Sequence, residues 1–146
     1  MSTVMGATSW QVGGNIHLRV YSLQSTGFLL ERCWDSNRWY TGALTNKYKA
    51  TTGAEATSWL DSSGQIHIRV YAVGTNGMIM EYCWDADKWY EGALSNQYTA
   101  TVAPGATSWL DSKGTIHIRV YAADKNNVQK EYCWDGSGWY VGAYTQ

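Results

Sequence analysis

The sequence predicts an all-β fold, a β-propeller half with three four-stranded blades per chain. A unit of about 50 residues occurs three times, because Trp10, Trp59 and Trp109 open equivalent segments spaced by 49 and 50 residues. Within each unit, apolar and polar residues alternate in short runs bounded by Gly, Asp, Asn and Ser, and this period of two indicates strands. Four short strands in a repeat of roughly 40 to 50 residues are typical of one propeller blade.

The strands are clearest in the middle repeat, where turn residues separate four alternating runs. We predict strands at residues 56–59, 66–72, 78–84 and 89–94. The same pattern in the other repeats divides the chain into blades at residues 1–53, 54–103 and 104–146. These blades are parts of one propeller half rather than independent domains.

Three blades do not close a ring, since propellers have roughly four to eight of them. An open set exposes an apolar blade face at each end, and such faces drive association. We therefore expect two chains to associate about a twofold axis as a homodimer, which gives a six-bladed ring. A three-repeat solenoid or a small trefoil-like barrel is the structural alternative.

Composition and charge narrow the classes of partner. The chain has nine Trp and eleven Tyr but one Phe, and aromatic rings that carry a polar group suit half-solvated binding surfaces. We interpret Trp10, Trp59 and Trp109 as core residues. A net charge of −1 without a basic stripe argues against nucleic acid as a partner, and no apolar segment is long enough for membrane insertion. Residues 1–6 lack the features of a secretory signal peptide, so we expect a soluble protein that is cytoplasmic or secreted by another route.

Cysteine and histidine each occur once per repeat, at equivalent positions. They are Cys33, Cys83, Cys133, His17, His67 and His117. An odd number of equivalent cysteines is not typical of a disulfide framework, and we expect small buried thiols. The histidines have no CxxC or HxxxH neighbours, so we expect no zinc site and no cofactor, and histidines that pack or hydrogen-bond within strands.

One Arg, one Glu and two Trp recur in every repeat and are the candidate binding residues. Glu81 and Trp84 lie three positions apart on one predicted strand, so their side chains point to opposite faces of the blade. Because blades pack face to face, a site that uses both must take Glu from one blade and Trp from the next. An Arg fork beside a carboxylate can bind adjacent hydroxyls, and a Trp face stacks on a pyranose ring. The pattern predicts sugar sites between blades, with an Arg–Glu ion pair joining two strands as the alternative.

The recurring carboxylates are poorly spaced for glycoside hydrolysis, which needs two carboxyl groups roughly 5 to 9.5 Å apart. Only Glu81 and Asp85 have counterparts in all repeats, and an extended strand separates them by about 13 Å. We expect Asp85 to cap the turn that it opens. Asp61 and Asp111 correspond to Gln11 in the first repeat, so no third carboxylate recurs. We therefore expect no enzymatic activity.

The repeated segments ATSW, IHIRVY, EYCWD and WYxGA resemble those of the fucose-binding lectin family of six-bladed β-propellers, known from fungi such as the orange-peel mushroom and from plant-associated bacteria. The resemblance covers essentially the whole chain, three times over. In this family, the fungal members resemble single chains with six repeats, and the bacterial members resemble two-repeat chains that form trimers. The three repeats of this chain depart from both patterns. The resemblance implies multivalent, non-catalytic binding of L-fucose in fucosylated glycans. The alternative function is that the same clefts bind another sugar or a protein partner.

The resemblance also implies which residues contact the sugar: the Arg, the Glu and the Ala backbone of one blade, with two Trp of the next blade. The first site would use Arg19, Glu31, Ala43, Trp84 and Trp89. The second site would use Arg69, Glu81, Ala93, Trp134 and Trp139. The third site would use Arg119, Glu131 and Ala143 with Trp34 and Trp39 of the partner chain. Apolar strand residues would receive the C6 methyl group of the sugar, namely Ile66, Ile68, Ile116, Ile118, Ile16 and Leu18.

Overall fold

The computed structural model describes residues 4–144, which form three separate four-stranded antiparallel sheets. The strands of the first sheet are β1 Gly6–Val12, β2 Asn15–Leu23, β3 Leu29–Trp34 and β4 Trp39–Thr41. Those of the second are β5 Glu55–Leu60, β6 Ile66–Val73, β7 Ile79–Trp84 and β8 Trp89–Glu91. Those of the third are β9 Gly105–Leu110, β10 Ile116–Ala123, β11 Gln129–Trp134 and β12 Trp139–Val141.

Each sheet is a meander whose strands follow chain order, and this confirms the predicted all-β fold with three four-stranded blades. Every sheet falls within one predicted repeat, while the repeat bounds themselves stay predictions. The N-terminal stretch at residues 1–6 lies partly outside the described residues. Within residues 4–144, no helical segment has the length and apolar character needed to traverse a bilayer.

The first strand of each blade lies beside the first strand of the next, so the blades meet along a common inner edge. Hydroxyl pairs link these inner strands. Thr8 Oγ1 lies 2.6 Å from Ser58 Oγ, and Thr57 Oγ1 lies 2.6 Å from Ser108 Oγ. The inner strands hold neighbouring blades together at one edge, and the outer strands of each blade pack face to face with the next blade.

The hydrophobic core lies between the blades. Tyr21 and Leu29 of the first blade are fully buried against Val70 of the second. An equivalent layer joins the second blade to the third, where Tyr71 packs with Val120. The second blade is therefore covered on both faces.

The first and third blades each keep one face without such cover. Trp89 of the middle blade is 5% exposed, whereas the equivalent Trp39 of the first blade is 44% exposed. Ile16, on the same face as Trp39, is 52% exposed. These apolar side chains lie where a further blade would pack.

The fourth strand is shorter than predicted, since β8 ends at Glu91 and not at residue 94. The reason is that the chain turns inward after Glu91. Gly92 N still donates to Glu81 O at 2.8 Å, and then Leu94 N donates to the Glu81 carboxylate at 3.2 Å. A backbone group that binds a side chain in this way cannot continue the ladder of the sheet.

Candidate functional site

The register of β6 and β7 places the candidate Arg and Glu on one face of the second blade. Tyr71 lies opposite Glu81, and Arg69 lies opposite Cys83, so these four side chains point to the same side. Trp84 and Trp89 are also paired, on the other side. The alternation argued from the sequence is therefore present in the sheet.

A cleft between the second and third blades brings together the residues predicted for the second site. Its volume is about 680 Å³. The second blade contributes Trp59, His67, Arg69, Glu81, Cys83, Asp85, Tyr90, Gly92 and Ala93. The third blade contributes Thr115, Ile116, Ile118, Trp134, Gly136 and Trp139. The Arg and Glu come from one blade and the two Trp come from the next.

A smaller cleft of about 180 Å³ lies between the first and second blades and contains the residues predicted for the first site. Its lining from the first blade is Trp10, Arg19, Glu31, Cys33, Tyr40, Gly42 and Ala43. Its lining from the second blade is Ile66, Ile68, Trp84 and Trp89. Trp89 reaches the first blade, since its ring packs edge-on against Tyr21, with the ring centroids 6.2 Å apart.

The residues predicted for the third site lie on two different open faces. Arg119, Glu131 and Ala143 belong to the third blade, and Trp34 and Trp39 belong to the first. Among residues 4–144, the third blade shares its inner strand contact and its hydrophobic cluster with the second blade, so the two halves of this site lie on opposite sides of the set of blades.

The site glutamate is a buried carboxylate with defined donors. Glu81 is 3% exposed; Tyr71 Oη donates to its Oε2 at 2.7 Å, and Leu94 N donates to its Oε1 at 3.2 Å. Burial raises the pKa of Glu81, and these hydrogen bonds oppose the rise. A Cβ on Gly92 would lie 2.1 Å from Glu81 Oε1, so only glycine leaves room for the carboxylate here. Glu31 has the same surroundings in the first blade, and burial raises its pKa too.

The site arginine pairs with aspartate and not with glutamate. Arg69 NH1 donates to Asp85 Oδ1 at 2.9 Å and to the carbonyl of Ile68 at 3.0 Å. The Arg–Glu ion pair considered as an alternative is wrong for this blade, because the Glu81 carboxylate accepts from Tyr71 and backbone instead. The same Arg–Asp pair recurs as Arg19 with Asp35 and Arg119 with Asp135.

Asp85 is a site residue that sequence reasoning misplaced. We expected it to cap its turn, but its carboxylate accepts hydrogen bonds from Arg69, His67 and Tyr90. Burial raises the pKa of Asp85, but hydrogen bonds from these three side chains outweigh that effect and lower it overall. The pairing of β6 with β7 would have revealed this role of Asp85. Arg69 lies opposite Cys83, and Asp85 follows two residues later on the same face, beside the guanidinium.

The interpretation of Trp10, Trp59 and Trp109 as core residues is wrong for Trp109 and holds only in part for the other two, since Trp10 and Trp59 are partly buried against the hydrophobic clusters and also line the clefts. Trp59 lines the second cleft, where its ring stacks on His67 with centroids 5.2 Å apart. The Arg69 guanidinium lies 5.0 Å from the centre of the Trp59 ring, a distance that permits a cation–π interaction. Trp10 lines the first cleft, and Trp109 is 46% exposed. In each blade the ring also lies beside the guanidinium of the site arginine.

The cysteines are buried and free, as predicted. Burial raises the pKa of Cys33 to about 11 and that of Cys83 to about 12. Thiols with such values remain protonated at neutral pH and are poor nucleophiles. The recurring cysteine is therefore a packing residue beside the site glutamate.

The family model of the fungal fucose-specific lectins matches residues 1–105 and 96–146 of the chain. The chain belongs to this fucose-specific lectin family. Among solved structures, the lectin is similar to a fucose lectin from Kordia zhangzhouensis in complex with methyl-fucoside, with 71% identity and a TM-score of 0.95. That match covers 97% of this chain and 100% of the Kordia chain.

The lectin is also similar to a variant of Aleuria aurantia lectin in complex with Fucα1-6GlcNAc. The identity is 30%, the TM-score is 0.78, and the match covers 99% of this chain but 47% of that one. A further Aleuria aurantia structure, described as a six-bladed β-propeller, is 22% identical with a TM-score of 0.65 and supports the fold alone. No curated protein sequence matches the chain. The lectin thus spans a whole Kordia chain and about half of the longer Aleuria chain.

Proposed function

We propose that this lectin binds L-fucose in fucosylated glycans, without catalysis, in the clefts between its blades. The observation that carries the proposal is the second cleft, where a buried carboxylate and an oriented guanidinium on one blade face two Trp of the next blade. The 71% identical Kordia lectin, solved with methyl-fucoside, supports the same ligand class. The cleft has donors and acceptors for hydroxyls beside an aromatic platform for the C–H face of a pyranose.

Each group in the second cleft has a role in this proposal. Arg69 donates to ring oxygen and hydroxyl oxygens, and Glu81 accepts from hydroxyls in charge-assisted hydrogen bonds. The backbone at Ala93 supplies a further polar contact, while Trp134 and Trp139 stack on the sugar. The first cleft uses Arg19, Glu31, Ala43, Trp84 and Trp89 in the same roles.

The apolar wall of the second cleft accounts for a preference for a 6-deoxy sugar. Ile116 and Ile118 line the cleft and would receive the C6 methyl group. L-galactose differs from L-fucose by a hydroxyl on this carbon, and burial of that hydroxyl without a partner costs about 1 to 3 kcal/mol. Ile66 and Ile68 line the first cleft in the same way.

The carboxylates of the second cleft are not arranged for catalysis. Asp85, the recurring acidic residue nearest to Arg69, already accepts hydrogen bonds from Arg69, His67 and Tyr90. Glycoside hydrolysis needs a second carboxyl group that is free to act as nucleophile or base. A fixed ion-pair partner does not meet that need.

The third site completes the proposal with a second chain. The third blade presents Arg119 and Glu131, and the first blade presents Trp34 and Trp39, each on an uncovered face. A homodimer with twofold symmetry would join these faces twice and close a ring of six blades with six sites. On a glycan-coated surface, several modest sites gain affinity through effective concentration.

Isothermal titration calorimetry with methyl-fucoside tests the function, with L-galactose as the matched sugar. We expect saturable binding of the fucoside and about tenfold weaker binding of L-galactose, as the cost of a buried hydroxyl requires. A glycan array then separates this function from the alternative, since signals that do not depend on fucose would favour another sugar or a protein partner. Absence of binding at millimolar fucoside would overturn the proposal.

A further inference from the structure

A hydrogen-bonded chain of four side chains leads from the surface to the site arginine in the second blade. His67 Nδ1 lies 2.5 Å from Asp85 Oδ1, and His67 Nε2 lies 2.8 Å from Asp61 Oδ2. Asp85 in turn accepts from Arg69. The third blade repeats the chain, since His117 lies 2.5 Å from Asp135 and 2.9 Å from Asp111.

The first blade lacks the outermost member of this chain. His17 Nδ1 lies 2.6 Å from Asp35 Oδ1, but no carboxylate faces its other ring nitrogen among the described residues. Gln11 is equivalent to Leu60 and not to Asp61 as predicted, because Gln11 pairs with Ile16 as Leu60 pairs with Ile66. Val12 stands at the position of Asp61 and carries no carboxylate, and the turn that follows it is one residue shorter than in the second blade.

The second carboxylate changes how many ring protons the imidazole needs to satisfy its hydrogen-bond partners. Carboxylates only accept hydrogen bonds, so His67 satisfies both Asp61 and Asp85 only when both of its ring nitrogens carry protons. His17 has one carboxylate partner and makes its bond equally well with one ring proton. In neutral His67 the single proton is shared, and when it lies on Nε2 a lone pair faces Asp85, the residue that orients Arg69.

We propose that Asp61 and Asp111 are positioning residues that make the second and third sites lose sugar affinity as the pH rises through the histidine range, while the first site does not. The inference rests on the proposed function, since the affected residues orient the sugar-binding arginine. It also makes the three kinds of site unequal, although all three contain the same Arg, Glu and Trp.

The charges around each histidine support this direction of change. The titratable or charged groups near His67 are Asp61 and Asp85 directly, with Arg69 and Tyr90 through Asp85. Across the cleft the third blade contributes Thr115, Ile116, Ile118, Trp134, Gly136 and Trp139, none of which titrates. In the third blade, hydrogen bonds to Asp111 and to Asp135 raise the pKa of His117. For His117 the doubly bonded form is thus fully present at low pH and is lost as the pH rises through the raised folded pKa.

The test compares single sites in the full-length protein. Arg19→Ala with Arg119→Ala leaves the second site, and Arg69→Ala with Arg119→Ala leaves the first. Calorimetry measures the affinity for methyl-fucoside across the histidine range, from about pH 5.5 to 8.5. As the pH rises, the affinity should fall about fivefold at the second site and change by less than about twofold at the first, as expected for partial loss of one charged hydrogen bond. Equal profiles at the two sites, with binding intact, would overturn this inference and leave the proposed function standing.

Asp61→Asn is the decisive substitution, because asparagine keeps the turn and removes the charge. The Asp61 Oδ1 atom accepts from Ser63 N at 2.8 Å and Gln65 N at 3.0 Å, and an amide oxygen can do the same. The amide can also donate to a neutral His67, so the pH profile of the second site should become flat. Asp124→Asn is the matched control, since Asp124 accepts from Asn126 N and Val128 N in a similar turn and should leave the profile steep.

A second measurement does not depend on the arginine variants. Nitrogen-15 NMR of the unsubstituted lectin reports how many ring nitrogens of each histidine are protonated. We expect both ring nitrogens of His117 to stay protonated to a higher pH than in a free imidazole, because hydrogen bonds to Asp111 and Asp135 raise its pKa. Three histidines with the same protonation behaviour would contradict the proposal even if the variants failed to fold.

Discussion

The site glutamate has different surroundings in the covered and the uncovered blades. Burial raises the pKa of Glu31 and Glu81 in the two clefts. On the open face of the third blade, a hydrogen bond from Tyr121 lowers the pKa of Glu131. The sequence around the three residues is nearly the same, so the neighbouring blade determines the sign of the shift by removing water.

Replacement of Glu81 by glutamine should separate binding from stability. The amide oxygen can accept from Leu94 N and the amide nitrogen can donate to Tyr71 Oη, so the fold should persist. Sugar affinity at the second site should fall by about 1.5 to 3 kcal/mol, the value of hydrogen bonds to a charged group. Calorimetric stoichiometry and the thermal midpoint measure the two effects.

The pH dependence of this variant has a defined sign. Because burial raises the pKa of Glu81, the folded protein retains the proton more tightly than the unfolded chain, and that stability is lost as the pH rises through the folded value. Glu81→Gln should therefore gain stability relative to the parent as the pH rises. Glu91→Gln, at an exposed position of β8, is the control. A large fall in thermal midpoint with all sites still binding would identify Glu81 as a structural residue instead.

At the scale of elements, the turn between the third and fourth strands is strained in two of the three blades. Ala86 has a φ of 114° and Ser36 a φ of 145°, values that side chains with a Cβ rarely adopt. The third blade has Gly136 at the equivalent position, with a φ of 103°. Glycine adopts such angles without steric cost, so only the third blade has the residue that this turn requires.

Ala86→Gly should therefore stabilise the lectin. Strain at such an angle costs of order 1 to 3 kcal/mol, and the added freedom of glycine in the unfolded chain offsets roughly 0.5 to 1 kcal/mol of the relief. We expect a net gain of about 1 kcal/mol in the free energy of unfolding, measured by denaturant titration. The reciprocal Gly136→Ala should lose a similar amount, partly because its Cβ would lie 3.0 Å from Thr115 Cγ2. A destabilising Ala86→Gly would show that this turn is not under strain.

At the scale of the whole molecule, the middle blade is complete and the outer blades are not. Trp89 and Trp139 each pack edge-on against a tyrosine of the preceding blade, Tyr21 and Tyr71. Trp39 has no preceding blade in its own chain and is 44% exposed. The exposed face and the third blade's half of the third site are the two surfaces that the proposed second copy of this chain would join.

Solution mass and sugar stoichiometry should change together when this face is altered. Light scattering should give twice the 16.3 kDa of one chain, with three sugars bound per chain. Trp39→Ala should reduce the mass to that of one chain and the number of sugars bound per chain to two. The reason is that loss of a large aromatic side chain at an interface hot spot costs roughly 2 kcal/mol or more. Lys88→Ala, exposed on the middle blade, is the control. A parent protein that is monomeric yet binds three sugars would contradict the two-chain ring.

The sequence by itself determined the repeat, the alternation of each strand and the location of the candidate sites between blades. These follow from it because the direction of a side chain on a strand is a local property that two neighbouring residues define. Glu81 and Trp84 had to face different neighbours in any sheet containing their strand.

Only the tertiary structure decided which partners the site residues take. Asp85 pairs with Arg69 because β6 and β7 align Arg69 with Cys83, and Trp59 lies in the cleft because β5 aligns it with His67. Register and the cover from a neighbouring blade join residues that are distant in sequence, so no local pattern reports them. For the same reason, local sequence does not report whether the third site forms. Its two halves lie on separate faces of one chain and would meet only when two chains associate.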